Sequence, residues 1–171
     1  MSDSNLASIA IAAESTFGTA PTTGFKTFRY TGESLNFNIS NTQSAQIRAD
    51  RNVNELVRTD ASASGDLNFE LSYGTLDDLL EGLLCSTWDS GSGVLKNGTA
   101  PKSFSIEKNF GAGVTNPFHL FTGMTPSSMG LSVSAGDMVT GNMSFLGKTM
   151  ATAASKQNSS AIAAATTSSV M

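Results

Sequence analysis

Strict alternation of apolar and polar residues recurs along this chain, and a period of two buries a single face only in a β-strand. Leu67, Phe69, Leu71 and Tyr73 alternate with Asp66, Asn68, Glu70 and Ser72, giving one dry face and one wet face. Ile9 and Ile11 alternate with Ser8, Ala10 and Ala12, and Phe28 and Tyr30 with Thr27 and Arg29. Leu35, Phe37 and Ile39 alternate with Asn36 and Asn38, and Gly32 and Glu33 just before them suit a hairpin turn. Further strands are expected at Phe104 and Ile106, at Phe118–Phe121, at Leu131 and Val133, and at Met138–Leu146 after a turn at Ala135-Gly136-Asp137. One segment changes period: Leu76, Leu79, Leu80, Leu83 and Leu84 fall at helical spacing. A helix is predicted from Leu76 to about Cys85, with Thr75 as N-cap, Asp78 as its capping-box partner, and Asp77 and Asp78 in the first turn. About seven or eight mostly antiparallel strands and one flanking helix predict a mainly β sandwich or barrel.

At 171 residues the chain has the length of one domain, since a domain takes roughly 100–200 residues. Two segments break the strand pattern. Residues 40–61 lack a strong period and read as a loop, longer than the roughly 12–15 residues usual for structureless connections. This loop holds Arg48, Asp50, Arg51, Glu55, Arg58 and Asp60, and with them three of the four arginines. It is either a solvated loop with ordinary surface ions or a docking arm; arginine is the cation suited to fork-shaped pairing at interfaces. Residues 150–171 are mainly Ala, Ser and Thr with a single charge, Lys156. That composition has little to bury. The expected organisation is therefore a β domain over 1–149 and a low-complexity tail or linker over 150–171, disordered or ordered only on a partner.

Chemistry is sparse. A net charge of −4 and a pI near 4.8 argue against nucleic-acid binding through a basic surface. The single cysteine makes neither an internal disulfide nor a thiolate cluster, and the single histidine excludes a two-histidine metal site within one subunit. His119, between Phe118 and Leu120-Phe121, reads as a strand histidine rather than a catalytic base. Cys85 reads as a small buried thiol and Trp88 as a packing residue. Asp77, Asp78 and Glu81 are explained by helix capping and a wet helix face. Gly91-Ser92-Gly93 has no Walker lysine and follows no strand. Hence no catalytic, cofactor or metal residue is assigned. No apolar run approaches the roughly 18 residues needed to span a membrane, and no membrane partner is expected. Met1–Glu14 carries Asp3 and no basic residue, a poor secretory signal that implies synthesis in the cytoplasm. What remains is a scaffold whose uncovered edge strands and arginine-bearing arm suggest assembly.

From about Ile9 to Lys148 the chain resembles the tail tube proteins of long-tailed bacteriophages. The phrases that carry the resemblance begin with Ile11-Ala12-Ala13-Glu14-Ser15-Thr16-Phe17-Gly18-Thr19-Ala20-Pro21 and Gly32-Glu33-Ser34-Leu35-Asn36. Ile47-Arg48-Ala49-Asp50-Arg51 and Leu56-Val57-Arg58-Thr59 follow. Gly65-Asp66-Leu67-Asn68-Phe69-Glu70-Leu71-Ser72-Tyr73-Gly74-Thr75 then runs into Asp77-Asp78-Leu79-Leu80-Glu81. Lys102-Ser103-Phe104-Ser105-Ile106-Glu107-Lys108, Val139-Thr140-Gly141 and Phe145-Leu146-Gly147-Lys148 complete the series. Their order and spacing together carry the match, and none is a catalytic motif.

The resemblance implies a β-barrel or sandwich flanked by a helix, six copies closing into a ring, and rings stacking into a hollow conduit for DNA ejection. It implies location in the virion tail, with tape-measure, tail-terminator and tail-tip proteins as partners. Arg48, Asp50, Arg51, Glu55, Arg58 and Asp60 are then the candidate contacts between subunits or rings. Six copies of a chain of net charge −4 carry −24 per ring. DNA, with one charge per roughly 1.7 Å of duplex, would pass such a lumen without specific binding. Asp66, Asn68, Glu70 and Ser72 form the candidate lumen face. The alternatives are the inner tube of a tailocin-like injection device and a monomeric β-sandwich binding module. Trp plus Tyr total only three, few for the exposed aromatics of a binding module.

Overall fold

The computed structural model describes residues 7–43 and 56–165. Among these residues nine strands form one antiparallel sheet accompanied by one helix, matching the expected mainly β class with at least one strand more than expected. The sheet has two halves. One contains β1 (Ser8–Ala13), β2 (Lys26–Phe28), β6 (Phe104–Asn109) and β9 (Thr149–Ala153). The other contains β3 (Gly32–Glu33), β4 (Asn36–Gln43), β5 (Leu56–Glu70) and β8 (Thr140–Gly147). The 15-residue β7 (Phe118–Ser132) belongs to both: its first part pairs with β6 and β9, its second with β8.

The two halves enclose the core. Ile9, Ile11, Phe28, Phe104, Ile106, Phe121 and Met124 from one half meet Ala63, Leu67, Phe69, Met143 and Phe145 from the other. Helix α1 (Asp77–Leu83) closes the cluster through Leu79, with Leu76 just before it. The outer face of the first half is covered too. Ala10, Ala12 and Phe25 form a second cluster there with Leu120 and Ile162. Small residues at 10 and 12 let the covering chain lie close, so β1 is buried on both faces although its sequence alternates.

The helix is shorter than predicted and its cap differs. Leu76 stands at the N-cap without a side-chain bond, and the Thr75 hydroxyl pairs instead with that of Ser72 at 2.6 Å. Asp77 and Asp78 do occupy the first turn. Glu81 anchors the helix from below, taking the Lys102 ammonium at 2.6 Å and the Trp88 amide at 2.8 Å.

Three expectations are corrected. Gly32-Glu33 is no hairpin turn: β3 and β4 are successive pieces of one broken strand, both antiparallel to β5. The break crosses Gly65, whose φ is +151° and where a Cβ would stand 2.6 Å from both Leu35 Cα and Ser34 O. Residues 40–61 are no continuous loop: Ser40–Gln43 continues β4 and Leu56–Ala61 opens β5. Residues 44–55, and with them Arg48, Asp50, Arg51 and Glu55, lie outside the described residues. Finally, the boundary expected at 149/150 falls inside β9, and the chain to Ala165 folds back on its own body. Backbone ladders need no apolar side chains, so a Ser/Thr/Ala-rich stretch can be strand without showing a period.

Candidate assembly surfaces

Beyond Ala63, β4 and β5 continue as a two-stranded ribbon, because β8 pairs with β5 only from Ala63 to Glu70. Every β5 residue from Leu56 to Asp60 is exposed. Ile39 is 50% exposed and Leu56 65%, large apolar side chains left uncovered among the described residues. The ribbon carries a bulge: Ser40 faces Asp60 but Asn41 faces Arg58, leaving Thr59 as the extra residue, its hydroxyl donating to Ser40 O at 3.2 Å. A bulge reverses which side the following residues face. Arg58 and Asp60 therefore lie on opposite faces, although two-residue spacing alone would place them together. The Arg58 guanidinium sits 5.8 Å from the centre of the Phe37 ring, on the face that continues the core. Ile39 and Leu56 share that face. Asp60 lies on the other face, in line with Ser62, Ser64 and Asp66.

That other face is the polar side of the second half-sheet. Asp66 stands opposite Ser144, Asn68 opposite Asn142, and Glu70 opposite Thr140. Ser144 and Thr140 are in turn flanked by Ser128 and Ser132 of β7, and Asn36 and Asn38 extend the surface on β4. Its charges at these paired positions are acidic, without a lysine or arginine. Ser72 does not belong to it. The chain leaves the sheet after Glu70 and turns toward the helix, so the phase reverses: Ser72 is 3% exposed and Tyr73, expected on the dry face, is 81% exposed.

Two carboxylates unremarked in the strand pattern hold the rest together. Glu14 accepts four hydrogen bonds: from the Gly18 amide and Ser103 hydroxyl, both at 2.7 Å, and from the Ser105 hydroxyl and Gly123 amide at 2.7 and 2.9 Å. Gly123 lies where β7 bends from one half-sheet to the other. There the pairing steps from Ile106 opposite Phe121 to Phe104 opposite Met124, with an extra residue on β7, and Gly123 has φ +69°. A lone acid amid small residues, four before a glycine, is the sequence signal for this clasp. Glu107, 2% exposed on β6, accepts the Gln157 amide at 2.6 Å and so holds the C-terminal arm. Burial pushes its carboxyl above the ordinary glutamate range, against the Gln157 hydrogen bond and the nearby Lys156 charge. The arm is held further by Ser159 N–H to Thr22 O at 2.8 Å and by a parallel bridge between Ala163 and Lys26.

At the opposite edge of the core, Lys108 and Glu33 form an ion pair between the two half-sheets. The Lys108 ammonium lies 4.4 Å from the Phe110 ring centre, and Phe110 meets His119 edge-on at 4.6 Å. Burial, then the Lys108 charge, holds His119 below the ordinary histidine range. This is a packed strand histidine. Among the described residues no group of three or more His, Cys, Asp or Glu is placed to hold a metal, and no helix is long and apolar enough to cross a membrane.

Comparison with known proteins gives one family. A family model described as phage tail tube protein matches residues 4–171. No curated protein sequence matches the chain. Among solved structures, a chain from the virion of a native gene transfer agent has TM-score 0.52 at 10% identity, covering 89% of this chain and 98% of that one. A chain from the tail of an empty gene transfer agent particle, refined with C6 symmetry, has TM-score 0.51 at 11% identity, covering 89% and 98%. The SPP1 tail tube has TM-score 0.52 at 10% identity, covering 88% of this chain and 78% of that one. At these identities the likeness is one of fold.

Proposed function

The chain belongs to the phage tail tube protein family, and on that premise we propose that six copies close into a ring and that rings stack into the hollow tube through which DNA leaves the virion. The observation that carries this reading is the β4–β5 ribbon. A monomer that stayed a monomer would leave Ile39 and Leu56 in water on a two-stranded overhang; a neighbouring copy removes them from it. The C6 symmetry of the similarly folded gene transfer agent tail supports six as the ring number.

In this assembly the ribbon is the docking arm. Arg58 acts there on the apolar face, and Arg48, Asp50, Arg51 and Glu55, which lie between β4 and β5 in the sequence, are the further proposed contacts. Asp60 lies on the polar face and acts with Asp66, Asn68 and Glu70, which line the lumen. Acidic and neutral side chains there keep DNA from sticking, by repulsion felt over roughly 8–10 Å at ordinary ionic strength. DNA passes without specific binding. Tape-measure, terminator and tail-tip proteins complete the structure, and the subunit is made in the host cytoplasm.

Negative-stain electron microscopy of the purified chain at high concentration tests the reading, with rings or hollow tubes as the expected result. Reversing Arg48, Arg51 and Arg58 to Glu should leave a folded monomer and abolish assembly. Unchanged tubes in that variant would remove the docking role of the arm.

A further inference from the structure

We propose that residues 166–171 turn back on their own chain and seat Val170 and Met171 in a hollow between β1, β2 and the start of α1. The hollow has a volume of about 340 Å³. Its floor is apolar, made of Ile11, Phe28, Leu79 and Phe104. On one flank Lys26 and Asp78 pair at 2.5 Å, and on another the Tyr73 ring stands 81% exposed. Water in such a space, about ten molecules at roughly 30 Å³ each, lies against side chains it cannot hydrogen-bond. An apolar occupant that returns this water to bulk is favoured. The two charges at the mouth already satisfy each other, so the occupant that suits the hollow is uncharged.

The C-terminal arm delivers that occupant. Ile162 packs on the outer face of the first half-sheet with Ala10, Ala12 and Phe25. The arm then passes the edge of β2, where the Thr27 amide donates to Ala163 O at 2.9 Å and the Ala163 amide to Phe25 O at 3.2 Å. Ala163, Ala164 and Ala165 line the hollow, on the side of the sheet where Ile11 and Phe28 enter the core. The chain has thus crossed from one face of the sheet to the other. Of the segments outside the described residues, only 166–171 starts here. Residues 1–6 lead into β1 at its Ser8 end, opposite Asn109 rather than Phe104, and residues 44–55 lie between β4 and β5 in the sequence. Thr166, Thr167, Ser168 and Ser169 are polar and uncharged, and four such residues suffice to reverse a chain. Val170 and Met171 are the next apolar side chains. The contact needs one copy only, so it stands apart from the tube assembly.

Cysteine cross-linking in a Cys85→Ser background tests the docking. Ala13 lines the hollow and is exposed, so Ala13→Cys places a thiol at its wall. Nitrogen-15-labelled and unlabelled Ala13→Cys/Val170→Cys chains, mixed and treated with a short bismaleimide, should give a peptide joining positions 13 and 170 whose two halves carry the same isotope. Val94→Cys/Val170→Cys, with its first thiol on the exposed loop after α1, should not cross-link. Mixed isotopes would seat a second copy in the hollow and overturn the proposal. Equal cross-linking at positions 13 and 94, or none at either, would overturn it as well. A second variant needs no cysteines: in Val170→Ser/Met171→Ser the amides of Thr27 and Ala163 should exchange roughly fivefold faster or more, while β6 keeps its protection. Unchanged exchange there would show that the arm gains nothing from these two side chains.

Discussion

The amide of Gly123 donates to Glu14 Oε1 at 2.9 Å across 109 residues of chain, and this bond holds the bend at which β7 passes between the two half-sheets. With the other three donors it satisfies both carboxylate oxygens. Hydrogen bonds to a charged group each contribute about 1.5–3 kcal/mol, and donors left unmade cost about 1–3 kcal/mol. Glu14→Ala should therefore lower stability by about 3–5 kcal/mol, and Glu14→Gln, which keeps one acceptor oxygen, by about 1–2 kcal/mol. Denaturant midpoints with an unchanged slope would measure this. A loss under about 1 kcal/mol for alanine would mean the bend is held by other contacts.

Gly82 lies on α1 with no room for a side chain. A Cβ there would stand 2.5 Å from Cε2 of buried Phe104 and 3.3 Å from Pro126 Cγ. Alanine favours a helix over glycine by about 1 kcal/mol. Overpacking a filled core costs about 1–3 kcal/mol. The second effect should win because an aromatic ring enclosed in the core cannot swing aside. Gly82→Ala is expected to lower the melting temperature, and a rise would show that the helix can shift outward freely.

Ile39→Ser with Leu56→Ser removes exposed apolar surface from the ribbon. Surface substitutions of this kind change stability by about 0.5 kcal/mol or less. The monomer should melt normally and remain soluble at higher concentration, while tubes disappear from micrographs. Tubes of normal length in the double variant would separate the ribbon from assembly.

Two groups give opposite pH dependences. Glu107 has its carboxyl raised by burial, so the folded chain binds its proton more tightly than the unfolded chain does. Its contribution is full below the ordinary glutamate range and is lost as pH rises through the raised folded value. Glu107→Gln should therefore stabilise the protein near neutral pH and remove that slope. His119 is lowered by burial, so the unfolded chain binds its proton more tightly. Its contribution is full above about pH 6.5 and is lost as pH falls toward the lowered folded value. His119→Phe should flatten stability in that window. Titrations of the two variants against the parent would show slopes of opposite sign removed, and the same sign in both would contradict these assignments.

Gln157→Pro deletes the amide that bonds to Glu107. One hydrogen bond to a charged acceptor is worth about 1.5–3 kcal/mol. The amides of Thr27 and Ala163, which tie the arm to β2, should then exchange with solvent roughly tenfold faster or more, while those of β1 and β6 keep their protection. Uniform protection across the molecule would show that the arm does not depend on Gln157.

Alternation located strands wherever one face is dry and the other wet. Leu67 and Phe69 point inward as expected, and Ile9, Ile11, Phe104 and Ile106 do the same. It failed where both faces are alike. β1 is buried on both sides, because the C-terminal arm packs over Ala10 and Ala12, the positions that alternate with its core residues. The ribbon is wet on both sides, so Ser40–Gln43 and Leu56–Ala61 showed no period although their backbones are paired. Glu14 stood in plain view in the family phrase, but its partners Ser103, Ser105 and Gly123 come from distant segments that no local pattern connects.

The sequence by itself determined the β class, the single helix, the acidic balance and the family resemblance, because these depend on local period and composition. The tertiary structure decided which charges act together. The bulge at Thr59 parts Arg58 from Asp60, the turn after Glu70 withdraws Ser72 from the polar face, and β7 carries an Ala/Ser/Thr tail into the sheet as β9. Each of these depends on how one strand registers against another, and register is set by contacts between residues far apart in the chain.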